Sequence, residues 1–145
     1  VMVGFIITGH GNFASGLYSA CKMLIGEREN IEVVDYIDSE KVYDLDKKIS
    51  SAISNLYGKC EKIIIFCDML NGSPFKRCMV RCIREPNKFY VLTGVNVPIL
   101  IESISIAENG GNCDSIIEYI KNLFPNTLVE GISKLRDEMK EYEII

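Results

Sequence analysis

Continuous apolar runs alternate with helically spaced apolar residues along this chain, and that alternation limits the folds open to it. Four runs are interpreted as strands, over residues 2–8, 31–37, 62–67 and 89–92. The first and third are nearly all apolar, which is typical of strands buried on both faces of a parallel sheet. Strands separated by helices in this way predict right-handed βαβ units, and therefore an α/β fold.

Helical spacing fills the segments between the runs. Helices are predicted over residues 12–26, 39–58, 73–84, 96–107 and 112–124. Asn12 or Ser15 is available to cap the first helix and Ser39 the second, while Ser73 before Pro74 is a strong start signal for the third. The expected architecture is an open, doubly wound sheet of four parallel strands in the order 2-1-3-4, with helices on both faces.

The end of the chain is less regular. Residues 127–132 weakly favour a fifth strand, and residues 133–142 carry mixed charges that favour a solvated helix or tail. We expect one domain over residues 1–145, with 133–145 as a charged C-terminal tail.

Composition excludes several classes of function. A length of 145 residues with 48% hydrophobic and 25% charged residues suits one globular domain, and the net charge of -4 argues against a nucleic-acid partner. No apolar run reaches the roughly 18 residues of a membrane span, and the N-terminus does not resemble a signal peptide, so a cytoplasmic location is expected.

The six cysteines are interpreted as reduced core thiols, and a single histidine argues against a metal site.

The only histidine, His10, follows the first strand between Gly9 and Gly11. In an open α/β sheet, ligands and chemistry collect at the carboxyl ends of the strands. A solitary histidine is more often a hydrogen-bonded structural residue, but two flanking glycines remove side-chain bulk and suit a ring that another molecule must reach. The pattern therefore favours a functional role for His10.

Asp68 ends the third run, and it would share a crevice with His10 if strands one and three are neighbours. A carboxylate that accepts a hydrogen bond from Nδ1–H leaves Nε2 with a free lone pair and stabilises a positively charged ring. Gly72 and Ser73 would offer backbone N–H groups and a hydroxyl to a phosphoryl group at a helix start. The set predicts a phosphohistidine, with Gly11, Gly72 and Ser73 as phosphoryl-binding candidates.

Several alternatives stay open at this point. Asp68 and Ser73 are each compatible with ordinary capping roles, and acyl transfer through Ser73 or Cys67 needs coordinates to decide. Met23 and Asn96 are candidates for a partner-docking face around His10, although a helical methionine is more often part of a core.

Three linked motifs carry a resemblance to a known family. They are ITGHGNFASGL at residues 7–17, DMLNGSPF at 68–75 and LTGVNVP at 92–98. Together they resemble the IIA component of the mannose-family sugar phosphotransferase system, over about residues 2–132. The family usually has two glycines before Ser73-Pro74, and Asn71 replaces the first; asparagine tolerates left-handed backbone better than most residues.

The resemblance implies a phosphocarrier without a cofactor. His10 would accept a phosphoryl group from phospho-HPr and pass it to a histidine of a IIB component, and sugar would be phosphorylated during uptake through the membrane-embedded IIC and IID subunits. Asp68 would match the orienting aspartate and Ser73 the hydroxyl near the phosphoryl group. The family domain is a homodimer that exchanges a C-terminal strand, here residues 127–132, and IIB is expected on a separate chain.

Two further functions remain as alternatives. One is a regulatory domain in which phosphorylation of His10 biases an interaction without feeding transport. The other is a flavodoxin-like module that binds a small anion or ligand and carries an incidental histidine.

Overall fold

The computed structural model describes residues 2–136 and residue 138. Its strands are β1 (Met2–His10), β2 (Ile31–Tyr36), β3 (Cys60–Cys67) and β4 (Phe89–Thr93). Its α-helices are α1 (Phe13–Ile25), α2 (Val42–Leu56), α3 (Ser73–Arg84), α4 (Val97–Glu108), α5 (Cys113–Leu123) and the short α6 (Gly131–Leu135). No helix in this described part is long and apolar enough to cross a membrane.

The four strands form one parallel sheet in the order β2-β1-β3-β4, which confirms the predicted topology. β1 lies in the centre, where Thr8 pairs with Val34 of β2 and Cys67 of β3. Because the strands are parallel and in register, their carboxyl ends share one edge. His10 ends β1 there, and Asp68 follows β3 directly.

Helices cover both faces of the sheet and bury alternate residues of the same strands. Phe5 and Ile7 of β1 pack with Phe66 of β3 against α1, α4 and α5, and the Phe5 and Phe66 rings stack with centroids 6.2 Å apart. Ile6 and Ile65 point to the opposite face, against α2 and α3. Burial on both faces explains why β1 and β3 show continuous apolar runs without strand-like alternation.

The cysteines are free thiols of the core, as predicted. Five of the six are buried and Cys82 is half-buried. Burial raises the pKa of the Cys21 thiol, and it raises the pKa of Cys113 to about 11. A thiol held protonated in an apolar interior behaves as a small hydrophobic side chain.

Helix α1 takes its cap from a neighbouring strand. The Asn12 side chain makes no capping hydrogen bond. Instead the Asp35 carboxylate accepts hydrogen bonds from the Ser15 backbone N–H at 2.9 Å and from Ser15 Oγ at 2.5 Å. A carboxylate at a helix N-terminus satisfies unpaired N–H groups and complements the helix dipole, so Asp35 ties α1 to β2.

Helix α2 begins at Val42, three residues after the predicted cap Ser39. Asp44 in its first turn accepts a hydrogen bond from the Lys41 N–H at 2.9 Å, which fixes the start there. In the preceding turn Glu40 accepts from the Ile37 N–H and pairs with Lys48. These partners hold the pKa of Glu40 below its usual range.

The described chain forms no strand of its own over residues 127–132, where the sequence weakly favours one. A 3-10 turn, Phe124–Asn126, ends α5, residues 127–130 are irregular, and α6 begins at Gly131. The segment does not pair with the described sheet. A strand needs a backbone partner, and the exchange with a second copy that would supply one stays a prediction. Of the predicted charged tail, residues 133–136 and 138 are described, while residues 137 and 139–145 lie outside the described residues.

Thr8 carries a buried hydroxyl whose Oγ1 has no hydrogen-bond partner in the described chain, although the residue is fully buried. An unpartnered buried hydroxyl destabilises the folded state. We therefore expect Thr8→Val to raise the free energy of unfolding by about 1 kcal/mol, measured by urea denaturation.

Ser103 supplies the matched control, because it is also buried but its Oγ donates to the Ile99 carbonyl at 2.7 Å. Ser103→Ala removes a satisfied hydrogen bond and is expected to leave stability unchanged or lower. A Thr8→Val protein less stable than the parent would show that the Thr8 hydroxyl has a stabilising partner.

Candidate functional site

His10 and Asp68 lie in contact at the carboxyl edge of the sheet. The His10 Nδ1 atom is 2.7 Å from Asp68 Oδ2, and the same oxygen accepts the backbone N–H of His10 at 2.9 Å. The sequence places these residues 58 positions apart, and the pairing of β1 with β3 brings them together. One carboxylate oxygen therefore holds both the backbone and the ring of His10.

Asp68 is itself fixed by two backbone contacts. Its N–H donates to the Thr8 carbonyl at 3.2 Å, which continues the β1–β3 ladder, and its Oδ1 accepts the Met69 N–H at 2.9 Å. Both carboxylate oxygens are thus engaged, and the side chain is only 14% exposed. The acid that orients His10 has little freedom to turn away from it.

This geometry selects one tautomer of the ring. An ionised carboxylate only accepts hydrogen bonds, so His10 Nδ1 must carry the proton that it donates to Asp68. Nε2 is then left with its lone pair, and the His10 side chain is 47% exposed. The result is a nucleophilic nitrogen, oriented by a carboxylate and open to a second molecule.

Gly72 lies against the ring on the other side. A Cβ added at Gly72 would stand 2.6 Å from Cε1 and 3.4 Å from Nε2 of His10, so any side chain there would displace the ring. Gly72 therefore brings its backbone to the edge of the ring that carries Nε2. Here the absence of a side chain serves a close approach.

Gly72 is also the N-cap of α3, and Ser73 is the first residue of the helix. The prediction that Ser73 caps this helix is therefore wrong. No side chain caps α3 and its first turn holds no acidic residue. The Ser73 hydroxyl makes no hydrogen bond to the residues that the structure describes. Unpaired N–H groups and the positive end of the helix dipole therefore remain available beside His10 Nε2.

Gly9 has a different role from the one its sequence position suggested. A Cβ there would lie 2.6 Å from Phe13 Cδ1 and 2.9 Å from both Cβ and Cγ of Asp68. The glycine makes room for the Asp68 carboxylate, and not for an incoming molecule as predicted from its position beside His10. The contact between Asp68 and the His10 backbone depends on that space.

Gly11 does not supply an N–H group to the site. Its φ of +58° is left-handed, and its N–H donates to the Tyr36 carbonyl at 2.7 Å. That donor is already used, so the structure does not support the phosphoryl-binding role considered for Gly11. The residue instead makes the turn from β1 into α1, for which glycine is well suited.

The two candidate docking residues lie apart from the ring. Met23 is 90% exposed, but it is in the last turn of α1, roughly 15 Å along the helix from the turn beside His10. Asn96 caps α4 through the Ile99 N–H at 3.0 Å and donates to Thr127 Oγ1 at 2.8 Å. Asn96 thus has structural partners, and Met23 does not border the site.

Three exposed apolar side chains that no motif indicated follow the strands at the edge that carries His10. Ile37 follows β2 directly, while Met69 and Leu70 follow Asp68 after β3. Such residues mark surfaces that bind other proteins when they cluster around a site. Their positions just after strands could have signalled this, since the carboxyl ends of parallel strands share one edge.

The cysteine alternative does not fit this geometry. Cys67 is fully buried, and a hydrogen bond with Cys78 together with burial raises the pKa of its thiol far above the usual range. A buried, protonated thiol is inert as a nucleophile. Within residues 2–136 and 138, no three His, Cys, Asp or Glu side chains gather as a metal ion would require.

Comparison with known proteins gives a consistent result. Residues 4–121 match the family model described as the PTS system fructose IIA component. The fructose-specific EIIA component of Bacillus subtilis is 30% identical over 108 residues, which cover 74% of this chain and 73% of that protein. The mannose-specific EIIAB component of Escherichia coli is 26% identical over 134 residues, 92% of this chain. The chain spans 40% of the length of that relative.

Solved structures share the fold. The PTS IIA protein associated with the fucose utilization operon of Streptococcus pneumoniae aligns with a TM-score of 0.80 at 23% identity, over 93% of this chain and 97% of that one. The EIIA component of Streptococcus agalactiae aligns with a TM-score of 0.79 at 22% identity, over 91% and 99%. Since the family model covers most of the sequence, the chain belongs to the mannose family of phosphotransferase-system IIA components.

Proposed function

We propose that this protein is a phosphocarrier that accepts a phosphoryl group on Nε2 of His10 and passes it to another protein. The 2.7 Å contact between His10 Nδ1 and Asp68 Oδ2 carries the proposal. It fixes the tautomer that leaves Nε2 nucleophilic, on a side chain that is open to a partner. Family membership supports phospho-HPr as the donor and a IIB histidine as the acceptor.

The transfer is a displacement at phosphorus. The Nε2 lone pair of His10 forms an N–P bond while the N–P bond of the donor phosphohistidine breaks, and that electron pair returns to the donor nitrogen. The proton on Nδ1 stays in its hydrogen bond to Asp68, whose carboxylate stabilises the positive charge shared by the phosphorylated ring. Delivery to the acceptor repeats the step in reverse order, with Nε2 as the leaving group.

The start of α3 stabilises the phosphoryl oxygens. Gly72, the residue before α3, packs against the ring, so the helix begins next to His10 with its first N–H groups uncapped and the Ser73 hydroxyl in its first turn. Phosphoryl transfer depends chiefly on positioning and charge stabilisation, which fixed backbone donors supply without reorganisation. Gly72 and Ser73 therefore form the phosphoryl-binding part of the site.

An exposed nucleophile suits an exchange between proteins. His10 lies at an open edge beside the exposed apolar residues Ile37, Met69 and Leu70, where the surface of a carrier protein could pack. From IIB the phosphoryl group would pass to sugar during uptake through the IIC and IID subunits. Because the soluble carriers of this relay act in the cytoplasm, we place the protein there.

Replacing His10 tests the proposal directly. We expect His10→Ala to abolish phosphorylation of the protein by phosphoenolpyruvate with the general carrier proteins, because no other side chain in the described site provides an oriented nucleophile. Intact-mass spectrometry of the protein would follow the gain of one phosphoryl group.

Undiminished labelling of His10→Ala would disprove the phosphocarrier role of His10. Labelled parent protein that donates to no IIB component would favour the regulatory alternative. A parent protein that takes no phosphoryl group and binds a small anion or ligand would favour the flavodoxin-like module.

Asp68→Asn tests the orienting role. The amide can no longer act as an ionised acceptor for Nδ1–H, so the reactive tautomer is less favoured and the charged ring loses its partner. We expect the rate of His10 phosphorylation to fall at least tenfold, about 1.4 kcal/mol, with an unchanged circular dichroism spectrum.

Asp38→Asn is the matched control. Asp38 is exposed in the turn after β2, at the same edge of the sheet, and its replacement changes the net charge equally. An equal loss of rate in both variants would mean that general electrostatics matter, and that Asp68 does not act through the ring.

We also propose that the protein is a homodimer that exchanges residues 127–132, as the family resemblance implies, and that the exchanged segment packs at the β4 edge. β4 pairs only with β3 in the described sheet, and an unpaired edge is normally covered or shortened. The segment after α5, which Thr127 joins to Asn96 beyond β4, carries exposed apolar side chains: Leu128 is 91% exposed, and Val129 and Ile132 are also exposed. Apolar side chains in an irregular segment are well suited to pair with a second copy.

Charged residues in this segment should weaken the dimer. We expect the parent protein to sediment as a dimer at micromolar concentration, and the double variant Leu128→Asp/Val129→Asp to shift towards monomer in analytical ultracentrifugation. Leu24→Asp, on an exposed apolar residue of α1, is the control and should remain dimeric. A monomeric parent, or equal dissociation of the control, would contradict this interface.

A further inference from the structure

Asn71 holds a backbone conformation that side chains rarely adopt. Its φ is +66°, and it is the one non-glycine residue with positive φ in the described chain. Asparagine tolerates this region better than most residues, but glycine adopts it without steric cost. Backbone positions of this kind cluster at active sites and ligand-binding loops, so Asn71 is a candidate for a role in the site.

The side chain of Asn71 is exposed and makes no hydrogen bond to any residue that the structure describes. Its position is next to Gly72, the residue that packs against Cε1 and Nε2 of His10. The neighbouring Met69 and Leu70 are apolar. In the loop that leads into α3, Asn71 thus contributes a carboxamide with two free N–H donors.

The site has a particular need for neutral donors. Asp68 Oδ2 contacts the ring at Nδ1, and within the described chain the ion pair of His10 is with Asp68 itself. A phosphoryl group on Nε2 therefore adds negative charge beside a carboxylate. The loop that leads into α3 offers neutral donors for its oxygens: the first N–H groups of α3, the Ser73 hydroxyl and the Asn71 carboxamide.

We infer that the Asn71 carboxamide donates a hydrogen bond to the phosphoryl group on His10 during transfer. The inference rests on the proposed phosphocarrier function and deepens it. It assigns to Asn71 a direct contact with the transferred group, beyond the turn that its backbone makes. On this inference, position 71 holds asparagine despite its left-handed backbone because glycine would lack the carboxamide donor.

Asn71→Gly separates this role from a purely conformational one. Glycine adopts a φ of +66° freely, so the variant should be at least as stable as the parent. We expect phosphorylation of His10 to slow about tenfold, the effect of losing one charge-assisted hydrogen bond. Asn71→Asp, which exchanges a donor for a negative charge at similar shape, should slow it further.

The rate is measured with two donors, phospho-HPr and phosphoramidate. With phosphoramidate, Nε2 forms the N–P bond and the donor nitrogen leaves as ammonia, so no protein surface takes part. A contact with the phosphoryl group predicts a similar loss for Asn71→Gly with both donors, and a changed ³¹P chemical shift of the phosphohistidine. Asn87→Gly, at an exposed asparagine beyond the far end of α3, is the control.

Each outcome is decisive. Asn71→Gly that is phosphorylated as fast as the parent with phosphoramidate overturns the inference, whether or not it is slower with phospho-HPr. If the parent itself gains no phosphoryl group on His10 from either donor, the proposed function fails first. The two failures are thereby distinguished.

Discussion

The hydrogen bonds between Asp68 and His10 are the interaction on which the site depends. One carboxylate oxygen accepts from both the backbone N–H and Nδ1 of His10, at 2.9 and 2.7 Å. This pair exists because β1 and β3 are adjacent, parallel and in register, and because Gly9 leaves room for the acid. A change in strand order would separate the two residues, so the orientation of His10 by Asp68 depends on the topology of the sheet.

The two helices that start at this edge are used differently. The first turn of α1 is occupied by the Asp35 carboxylate through Ser15, which secures the segment after His10. The first turn of α3 has no side-chain cap and no acid, and Gly72 brings it against the ring. A negatively charged group on Nε2 therefore finds free N–H donors at α3, which is the physical basis of the proposed phosphoryl site.

Much of this arrangement could be predicted from the sequence. Continuous apolar runs identified the strands, and the polar residues that end them predicted that His10 and Asp68 would meet at one edge. Contacts between separate segments could not be read in the same way. The Asp35 cap comes from another strand, the Gly11 N–H is used by Tyr36, and residues 127–132 have no strand partner in the described sheet. Periodicity within one segment carries no information about such partners.

The nitrogen that carries the phosphoryl group is the most direct test of the account. Long-range ¹H–¹⁵N NMR correlations of the single histidine distinguish its two ring nitrogens before and after phosphorylation. The structure predicts a proton on Nδ1 in the free protein and an N–P bond at Nε2 in the phosphorylated one. Phosphorylation at Nδ1, the atom held by Asp68, would contradict the account.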